Sequence, residues 1–289
     1  MKKTNIFLAV LAALAWSTAG LFVTKLTECG FDSAMIASGR CIFGALSALL
    51  FVLITDRKAL KITFAQLGIS VLGGIIFFAM ATAYFHSINS SSASVAVVLL
   101  YTEPAWVMLI SVLFWGEKFT RKKIIALPLL IIGCGLVSGI VGENQISIPG
   151  ILYGLLSAIF YTLYSVCSKL SDKLRLNPIT FTVYSFLAAA ISSMIVSSPI
   201  EMVHRIEVSP WYVVLLFAGL GILTGSVASF TYTLAMRKLP ASLVASVATI
   251  EPLMSAVFSV IFLHERLTVS LAIGVVLILG SILMISNSK

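Results

Sequence analysis

Long apolar runs separated by short polar breaks dominate the chain. Ten such runs can be marked, at about 6–26, 32–54, 65–87, 93–115, 124–141, 149–169, 178–198, 210–233, 241–263 and 269–286. Each is close to the ~17–25 mostly apolar residues that a membrane-spanning helix requires. The breaks between them, such as TDRKALK and GENQISIP, are too short to hold a soluble domain. The pattern predicts an all-α integral membrane protein with ten transmembrane helices.

The composition points to the same environment. Of the 289 residues, 60% are hydrophobic and 10% are charged, whereas a soluble domain carries about 25% charged residues. The chain therefore has too little polar surface to cover a globule in water. The first apolar run follows Lys2 and Lys3, as in a signal peptide, but it continues to Leu26 and is interpreted as a retained helix.

The positions of the Lys and Arg residues predict an orientation. The net charge is +8, but the charges form short clusters between apolar runs and no basic face, so nucleic acid is not an expected partner. With the N-terminus inside, 15 of the 19 Lys and Arg residues fall in cytoplasmic segments, three fall outside, and Arg40 lies within a span. This bias predicts a multi-pass protein of the plasma (inner) membrane with both termini in the cytoplasm.

The dipeptide Glu-Pro occurs near the centre of two apolar runs. Shifting the chain by 148 residues lays Glu103-Pro104 on Glu251-Pro252 without a gap, and the same shift lays Tyr84 on Tyr232. These matches are informative because Glu and Pro are scarce in so apolar a sequence. They indicate an internal repeat.

The two halves are predicted to be residues 1–142 and 143–289, with five spans in each half. Because five is an odd number, equivalent spans cross the membrane in opposite directions. Inverted repeats of this kind recur in secondary transporters, where the substrate site lies near the midplane between the repeats.

The sequence also resembles a known family. The segment that carries Trp16 and ends in Lys25, Arg40 in the second run, and the paired patterns EP…GEKFT and EP…HERLT are similar to the EamA family of the drug/metabolite transporter (DMT) superfamily. The resemblance implies ten helices in two inverted EamA repeats and a permease that more often exports small metabolites than imports them. Two features depart from the family pattern. His264 stands where the family often has Gly, and the second half has no counterpart of Arg40 near Phe186.

Each Glu-Pro places an acid and a proline in mid-membrane. Pro104 and Pro252 each remove a backbone donor, so a kinked span is expected. An ionised acid at this depth costs ~2.5–3.5 kcal/mol, so Glu103 and Glu251 should face a cavity, meet a cation or hold a proton. An exchangeable proton on Glu251 would make protons the candidate coupling ion. The alternative is that both sites are structural kinks.

Arg40 is the cation predicted at the same depth. It is the ninth residue of its run, and Glu103 is the eleventh of its own. Both runs cross from the outside, so at 1.5 Å per residue the two depths differ by only ~3 Å. The sequence therefore predicts an Arg40–Glu103 ion pair and leaves Glu251 without a matching cation.

Aromatic and hydroxyl residues near these acids are the predicted lining of a cavity. In the sixth run, Tyr161, Tyr164 and Ser168 recur at three- or four-residue spacing and share a helix face. Interhelical packing is the alternative role for such residues. The candidate substrate-binding residues are Trp16, Ser17, Arg40, Tyr84, Tyr101, Glu103, Trp106, Tyr161, Tyr164, Ser165, Tyr232 and Glu251.

These features favour a secondary transporter, with export as the expected direction, that moves a small amphipathic metabolite such as an amino acid by alternating access. Efflux of lipophilic cations or drugs is the alternative. An intramembrane enzyme would need a nucleophile–base pair, paired aspartates or a metal cluster in the spans, and none is recognisable in the sequence. A membrane scaffold without transport would not need polar groups at the centre of both halves.

The expected partners are the substrate, the lipid bilayer and protons. No cofactor or metal is predicted. A monomer and a homodimer both remain open, because the GxxxG matches, such as GILTG, favour close packing within one chain but do not decide between them.

Overall fold

A computed structural model describes residues 2–55, 57–91, 93–116, 118, 120–137, 147–262 and 269–286. The described residues form helices joined by short turns, and no β-strand occurs among them.

The first part of the chain forms seven helices and one short 3-10 turn, Arg57–Leu60. The helices are α1 Lys2–Ser17, α2 Ala19–Glu28, α3 Ser33–Thr55, α4 Phe64–Ser90, α5 Ala93–Leu100, α6 Glu103–Trp115 and α7 Arg121–Val137.

The second part forms eight α-helices and one π-helical segment, Leu220–Val227. The helices are α8 Ile148–Lys173, α9 Pro178–Val196, α10 Pro199–Glu207, α11 Tyr212–Gly219, α12 Ala228–Lys238, α13 Ala241–Ala248, α14 Ile250–Phe262 and α15 Val269–Ser286.

Several of these helices have the length and apolarity of membrane spans. Seven stretches of the described residues qualify: Asn5–Glu28, Ser33–Thr55, Phe64–Ser87, Val95–Trp115, Ile148–Lys173, Pro178–Val196 and Tyr212–Lys238. Ala241–Met254 and Ala272–Ile285 are shorter apolar helices. Large apolar side chains such as Phe114 and Ile195 point outward, as expected of a surface in contact with lipid. The fold is that of a multi-pass membrane protein.

Both Glu-Pro dipeptides lie immediately after a break in a helix. The turn Tyr101-Thr102 separates α5 from α6, and Pro104 falls in the first turn of α6. Thr249 separates α13 from α14, and Glu251 falls in the first turn of α14. The expected kinks are thus short interruptions of one or two turn residues. A proline is well tolerated there, because the first turn of a helix has no intrahelical acceptor for the missing N–H.

Helices from the two parts of the chain interleave. The helix α4 packs against α8 and α9, α3 packs against α9 and the π-helical segment, α1 packs against α12, and α7 packs against α15. Small residues allow the closest approaches: a Cβ atom added to Gly221 would lie only 2.7 Å from the backbone nitrogen of Gly44. Glycine is required wherever two helix backbones come this close.

Candidate functional site

Three aromatic rings meet between α1, α8 and α12. The ring centroid of Trp16 lies 6.2 Å from that of Tyr161 and 5.2 Å from that of Tyr232, and the two tyrosine centroids are 6.4 Å apart. All three side chains are buried. We call Trp16, Tyr161 and Tyr232 the ring cluster. It joins one helix of the first half of the sequence to two helices of the second.

Glu103 lies beside the ring cluster in a buried hydrogen-bond chain. Its side chain is only 3% exposed, and the Ser165 hydroxyl donates to Glu103 Oε1 at 3.0 Å. The oxygens of Ser165 and Tyr232 are 2.7 Å apart. Because the single hydroxyl proton of Ser165 goes to Glu103, Tyr232 is the donor in that second bond. The chain of donors runs from Tyr232 through Ser165 to Glu103.

Arg40 and Trp16 converge on one backbone carbonyl. Arg40 Nη2 donates to the Thr224 carbonyl oxygen at 3.1 Å, and Trp16 Nε1 donates to the same oxygen at 2.9 Å. The Arg40 guanidinium also lies 5.4 Å from the ring centroid of Phe77, a cation–π distance. Thr224 belongs to the π-helical segment, a rare geometry that often marks functional sites.

The expected Arg40–Glu103 ion pair is not formed in the described structure. Arg40 interacts electrostatically with Glu251 instead, and the Tyr101 hydroxyl faces the Glu251 carboxylate as a hydrogen-bond donor. The physical reason is helix packing: α3 carries Arg40 against the π-helical segment, whereas α6 carries Glu103 against α8. The two side chains lie in the same region of the bundle but face different helices.

The two glutamates differ in access. Glu103 is buried, whereas Glu251 is only partly buried. Tyr84 is also partly buried and interacts electrostatically with Glu251. Tyr161 interacts electrostatically with both acids and therefore lies near each of them. The structure thus brings nine of the predicted residues to one region: Trp16, Arg40, Tyr84, Tyr101, Glu103, Tyr161, Ser165, Tyr232 and Glu251.

Three of the predicted residues are not among these nine. Trp106 shares the outward face of α6 with Leu109 and Leu113, and its Nε1 donates to the Thr102 hydroxyl at 3.3 Å. The Ser17 hydroxyl donates to the Leu14 carbonyl of its own helix at 2.7 Å.

The third residue, Tyr164, is not part of the ring cluster but lies near Arg40 and Tyr232. Its ring centroid lies 5.3 Å from that of Phe77 and 6.0 Å from that of Phe181. His264 falls outside the described residues.

Thr224 and Phe77 are functional candidates that sequence reasoning missed. Thr224 acts through its backbone carbonyl, which no side-chain pattern reports, although the small residues of GILTG mark a close helix contact. Phe77 is one of many apolar residues in α4 and carries no distinguishing signal. No group of three or more His, Cys, Asp or Glu side chains that could hold a metal occurs among the described residues.

A crevice lies at one end of the bundle, between the α2–α3 turn, the C-terminal half of α4 and the C-terminal end of α9. Its volume is about 440 Å³. The lining is mainly aromatic and hydroxyl-bearing and includes Phe31, Phe78, Thr82, Phe85 and Ser197.

Comparison with known proteins identifies the family. The model of the EamA-like transporter family matches residues 3–139 and again residues 148–287. The chain belongs to this family.

Relatives of this EamA protein carry transporter names. An uncharacterized transporter of Archaeoglobus fulgidus is 28% identical over 275 residues, which cover 95% of this chain and 93% of that protein. A Rickettsia felis protein named as an S-adenosylmethionine uptake transporter is 24% identical, with 96% of this chain and 91% of that protein covered. The family and these names support a transport role.

A solved crystal structure shares the fold. It superposes with a TM-score of 0.80 and covers 98% of this chain and 96% of its own, at 19% sequence identity. At this identity the likeness concerns the fold alone.

Proposed function

We propose that this EamA protein is a secondary transporter that exports a small amphipathic zwitterion, with amino acids and their derivatives as the first choice of substrate. The observation that carries the proposal is the juxtaposition of Arg40, Glu251 and the ring cluster inside an apolar helix bundle. Buried ionisable residues in a membrane protein are candidates for a substrate or ion pathway.

The chemistry of the site suits a solute that carries both charges. Arg40 can hold a carboxylate and Glu251 an ammonium group, while the rings of Trp16, Tyr161 and Tyr232 pack against an apolar or cationic body. S-adenosylmethionine, which one relative is named for, combines an amino-acid head with a sulfonium cation and belongs in the test panel.

We infer that residues 1–142 and 143–289 are inverted five-helix repeats, so that the full chain crosses the membrane ten times with both termini in the cytoplasm. The two successive matches to the family model support this division. So does the packing: α4 against α8 corresponds under the repeat to α12 against α1, and α3 against the π-helical segment corresponds to α9 against α4. Both Glu-Pro sites also follow a helix break.

The test is uptake and counterflow in proteoliposomes with a panel of labelled amino acids and S-adenosylmethionine. We expect saturable movement of at least one zwitterion, lost in the Glu251→Ala protein. Protein-free liposomes and the Trp106→Phe protein are the controls, because Trp106 lies on the outward face of α6. Saturable movement of a large polyanion alone would overturn the proposal.

Efflux of lipophilic cations is the second candidate, favoured by the ring cluster and by the partial exposure of Glu251. It predicts that tetraphenylphosphonium is itself transported and that removing the carboxylate from a panel compound does not slow its movement. Slower movement of amino-acid amides than of the parent amino acids would favour the zwitterion.

We propose protons as the coupling ion, with Glu251 as their carrier, because the Glu251 side chain is more accessible than that of Glu103. An imposed pH gradient should then drive counter-movement of the substrate in the wild type. The Glu251→Gln protein should retain exchange of substrate for substrate but lose the response to the gradient. An unchanged response would exclude Glu251 as the carrier.

A further inference from the structure

A line of polar contacts runs between α8 and α12, from the candidate site towards the C-terminal ends of both helices. It starts at the bond between Ser165 and Tyr232. Further along, Lys169 Nζ donates to the carbonyl oxygens of Met236 at 2.6 Å and Leu239 at 3.2 Å. We call the contact between these two helices the α8–α12 seam.

The middle of the seam holds four buried hydroxyls. Tyr164 and Ser168 come from α8, and Ser229 and Thr233 come from α12; each pair is four residues apart and so shares a helix face. The Tyr164 hydroxyl faces those of Ser229 and Thr233. All four side chains are at most 2% exposed.

None of these four hydroxyls forms a hydrogen bond of good geometry within the described structure. Buried polar groups are almost always hydrogen-bonded in folded proteins, so an unsatisfied cluster calls for an explanation. Water admitted between the helices would give every one of the four a partner. The closed seam therefore leaves its hydroxyls incompletely hydrogen-bonded.

The end of the seam is closed by an ion pair at the surface. Arg237 Nε lies 2.8 Å from Asp172 Oδ1, and the two side chains are 39% and 33% exposed. A pair this exposed is screened by solvent and contributes little on its own. It can therefore break and re-form as the helices move.

The beginning of α12 offers a hinge. The π-helical segment Leu220–Val227 runs directly into α12, and its irregular hydrogen bonding is a site where a helix can bend. A movement at this segment would swing α12 away from α8.

The corresponding helices of the first half are arranged differently. Under the repeat, α8 and α12 correspond to α1 and α4, yet α1 and α4 make no comparable contact in the described structure. The 440 Å³ crevice opens beside α4 at the opposite end of the bundle from the seam. In an inverted-repeat transporter the two halves exchange such arrangements to expose the site alternately to either side.

We propose that the α8–α12 seam is the closed gate of the transport path at the end where α8 and α12 terminate. When α12 moves, the four hydroxyls line a polar passage that leads from Glu103, Ser165 and Tyr232 to that surface. Hydroxyls both donate and accept hydrogen bonds, so the passage suits a zwitterion. The inference rests on the proposed transport function.

The first test measures opening without any substrate. We expect Ser229→Cys, in a Cys29→Ser background that removes the cysteine that is not buried, to react slowly with aminoethyl methanethiosulfonate in proteoliposomes. Breaking the ion pair with Asp172→Asn should raise the labelling rate about two- to threefold, as expected for the loss of an exposed ion pair.

Matched controls make this result specific. Thr233→Cys should respond to Asp172→Asn in the same way, which guards against a local defect at Ser229. Ser246→Cys should not respond, because Ser246 is buried in α13 and its hydroxyl already donates to the Ser242 carbonyl at 2.7 Å. An equal rise in labelling rate at all three positions, or no rise at the two seam positions, would overturn the gate proposal.

The second test locks the seam. Asp172→Cys and Arg237→Cys together, joined by a short bifunctional methanethiosulfonate, should abolish uptake of the panel compound that the wild type moves, and a reductant should restore it. Treatment with the same reagent should leave the uptake of each single-cysteine protein unchanged. Full uptake by the cross-linked protein would overturn the gate. If the wild type moves no panel compound, the proposed function fails, while the labelling test still decides the gate.

Discussion

Glu103 and Glu251 occupy the same place in a repeated motif but have different surroundings. Glu103 is buried and accepts a hydrogen bond from Ser165, whereas Glu251 is partly exposed and shares its surroundings with Arg40 and Tyr101. Identical dipeptides have thus acquired different neighbours. The difference makes Glu251 the stronger candidate for a group that meets substrate or protons.

A double-mutant cycle tests the partner of Arg40. We expect Arg40→Met and Glu251→Gln each to lower the melting temperature, and the double variant to lose less than the sum, with a coupling of about 0.5–3 kcal/mol. The matched cycle with Glu103→Gln should be additive, because Arg40 does not pair with Glu103. Coupling of Arg40 to Glu103 rather than to Glu251 would mean that Arg40 pairs with Glu103, as their depths in the sequence predict.

Two threonines of α12 provide a matched comparison for the seam. The Thr233 hydroxyl is buried and forms no hydrogen bond of good geometry among the described residues, whereas the Thr231 hydroxyl donates to the Val227 and Ala228 carbonyls at 2.9 and 3.0 Å. An unsatisfied buried polar group costs about 1–3 kcal/mol. We expect Thr233→Val to raise the melting temperature and slow uptake, because the closed state gains stability.

The Thr231→Val protein should show neither effect, since it loses a satisfied hydroxyl on the other side of the same helix. Scanning fluorimetry and proteoliposome uptake measure the two quantities. A Thr233→Val protein that is less stable than the wild type would mean that its hydroxyl is satisfied in the closed state.

At the scale of elements, broken and irregular helices position the site. The breaks before Glu103 and Glu251 turn each Glu-Pro into the first turn of a new helix. The π-helical segment presents the Thr224 carbonyl to Arg40 and Trp16. Irregular backbone is tolerated at membrane depth where it is buried in protein or lines a cavity.

The contact between α3 and the π-helical segment depends on glycine. A Cβ atom at Gly221 would lie 2.7 Å from the Gly44 nitrogen, while one at Gly280 in α15 would meet nothing within 4 Å. Gly221→Ala should therefore destabilise the protein by about 1–3 kcal/mol through overpacking. Gly280→Ala should be neutral or slightly stabilising, because Ala favours the helix. Melting temperatures of the purified proteins in one detergent test this; equal values would mean that α3 can move aside.

At the scale of the molecule, contacts between the two halves of the sequence bring distant segments to the same end of the helix bundle. Lys123 Nζ donates to the Ser242 hydroxyl at 3.3 Å, so α7 and α13 begin at the same end of the bundle. Arg205 donates to the Gly30 carbonyl at 2.7 Å, so α10 lies beside the α2–α3 turn. In both contacts the two segments are ones that the predicted topology assigns to the same side of the membrane.

Reporter fusions test the resulting topology. Reporters fused at Lys122 and Lys238 should read as cytoplasmic, and those at Asn144 and Glu207 as external, because the segments rich in Lys and Arg are predicted to be cytoplasmic. Asn144 lies outside the described residues, so its position rests on the sequence alone. An opposite reading at any one position would overturn the count of ten spans.

Sequence alone determined the features that depend on local pattern. Apolar runs of spanning length predict a multi-pass membrane protein, because each helix must satisfy its own backbone and present apolar side chains to lipid. The repeated Glu-Pro indicates the internal repeat, and the matching motifs indicate the EamA family, which the family model confirms. Most of the residues that form the candidate site were also predicted this way, since polar and aromatic side chains stand out in an apolar span.

Tertiary structure alone decided which of these residues meet. A sequence predicts the depth of a residue from its rise along a helix, but not which neighbouring helix its side chain faces. The partner of Arg40, the outward position of Trp106, the convergence on the Thr224 carbonyl and the unsatisfied hydroxyls of the seam all depend on how the helices pack. That packing is set by close contacts such as Gly221 against Gly44, which lie between segments far apart in the chain and leave no periodic signal in either one.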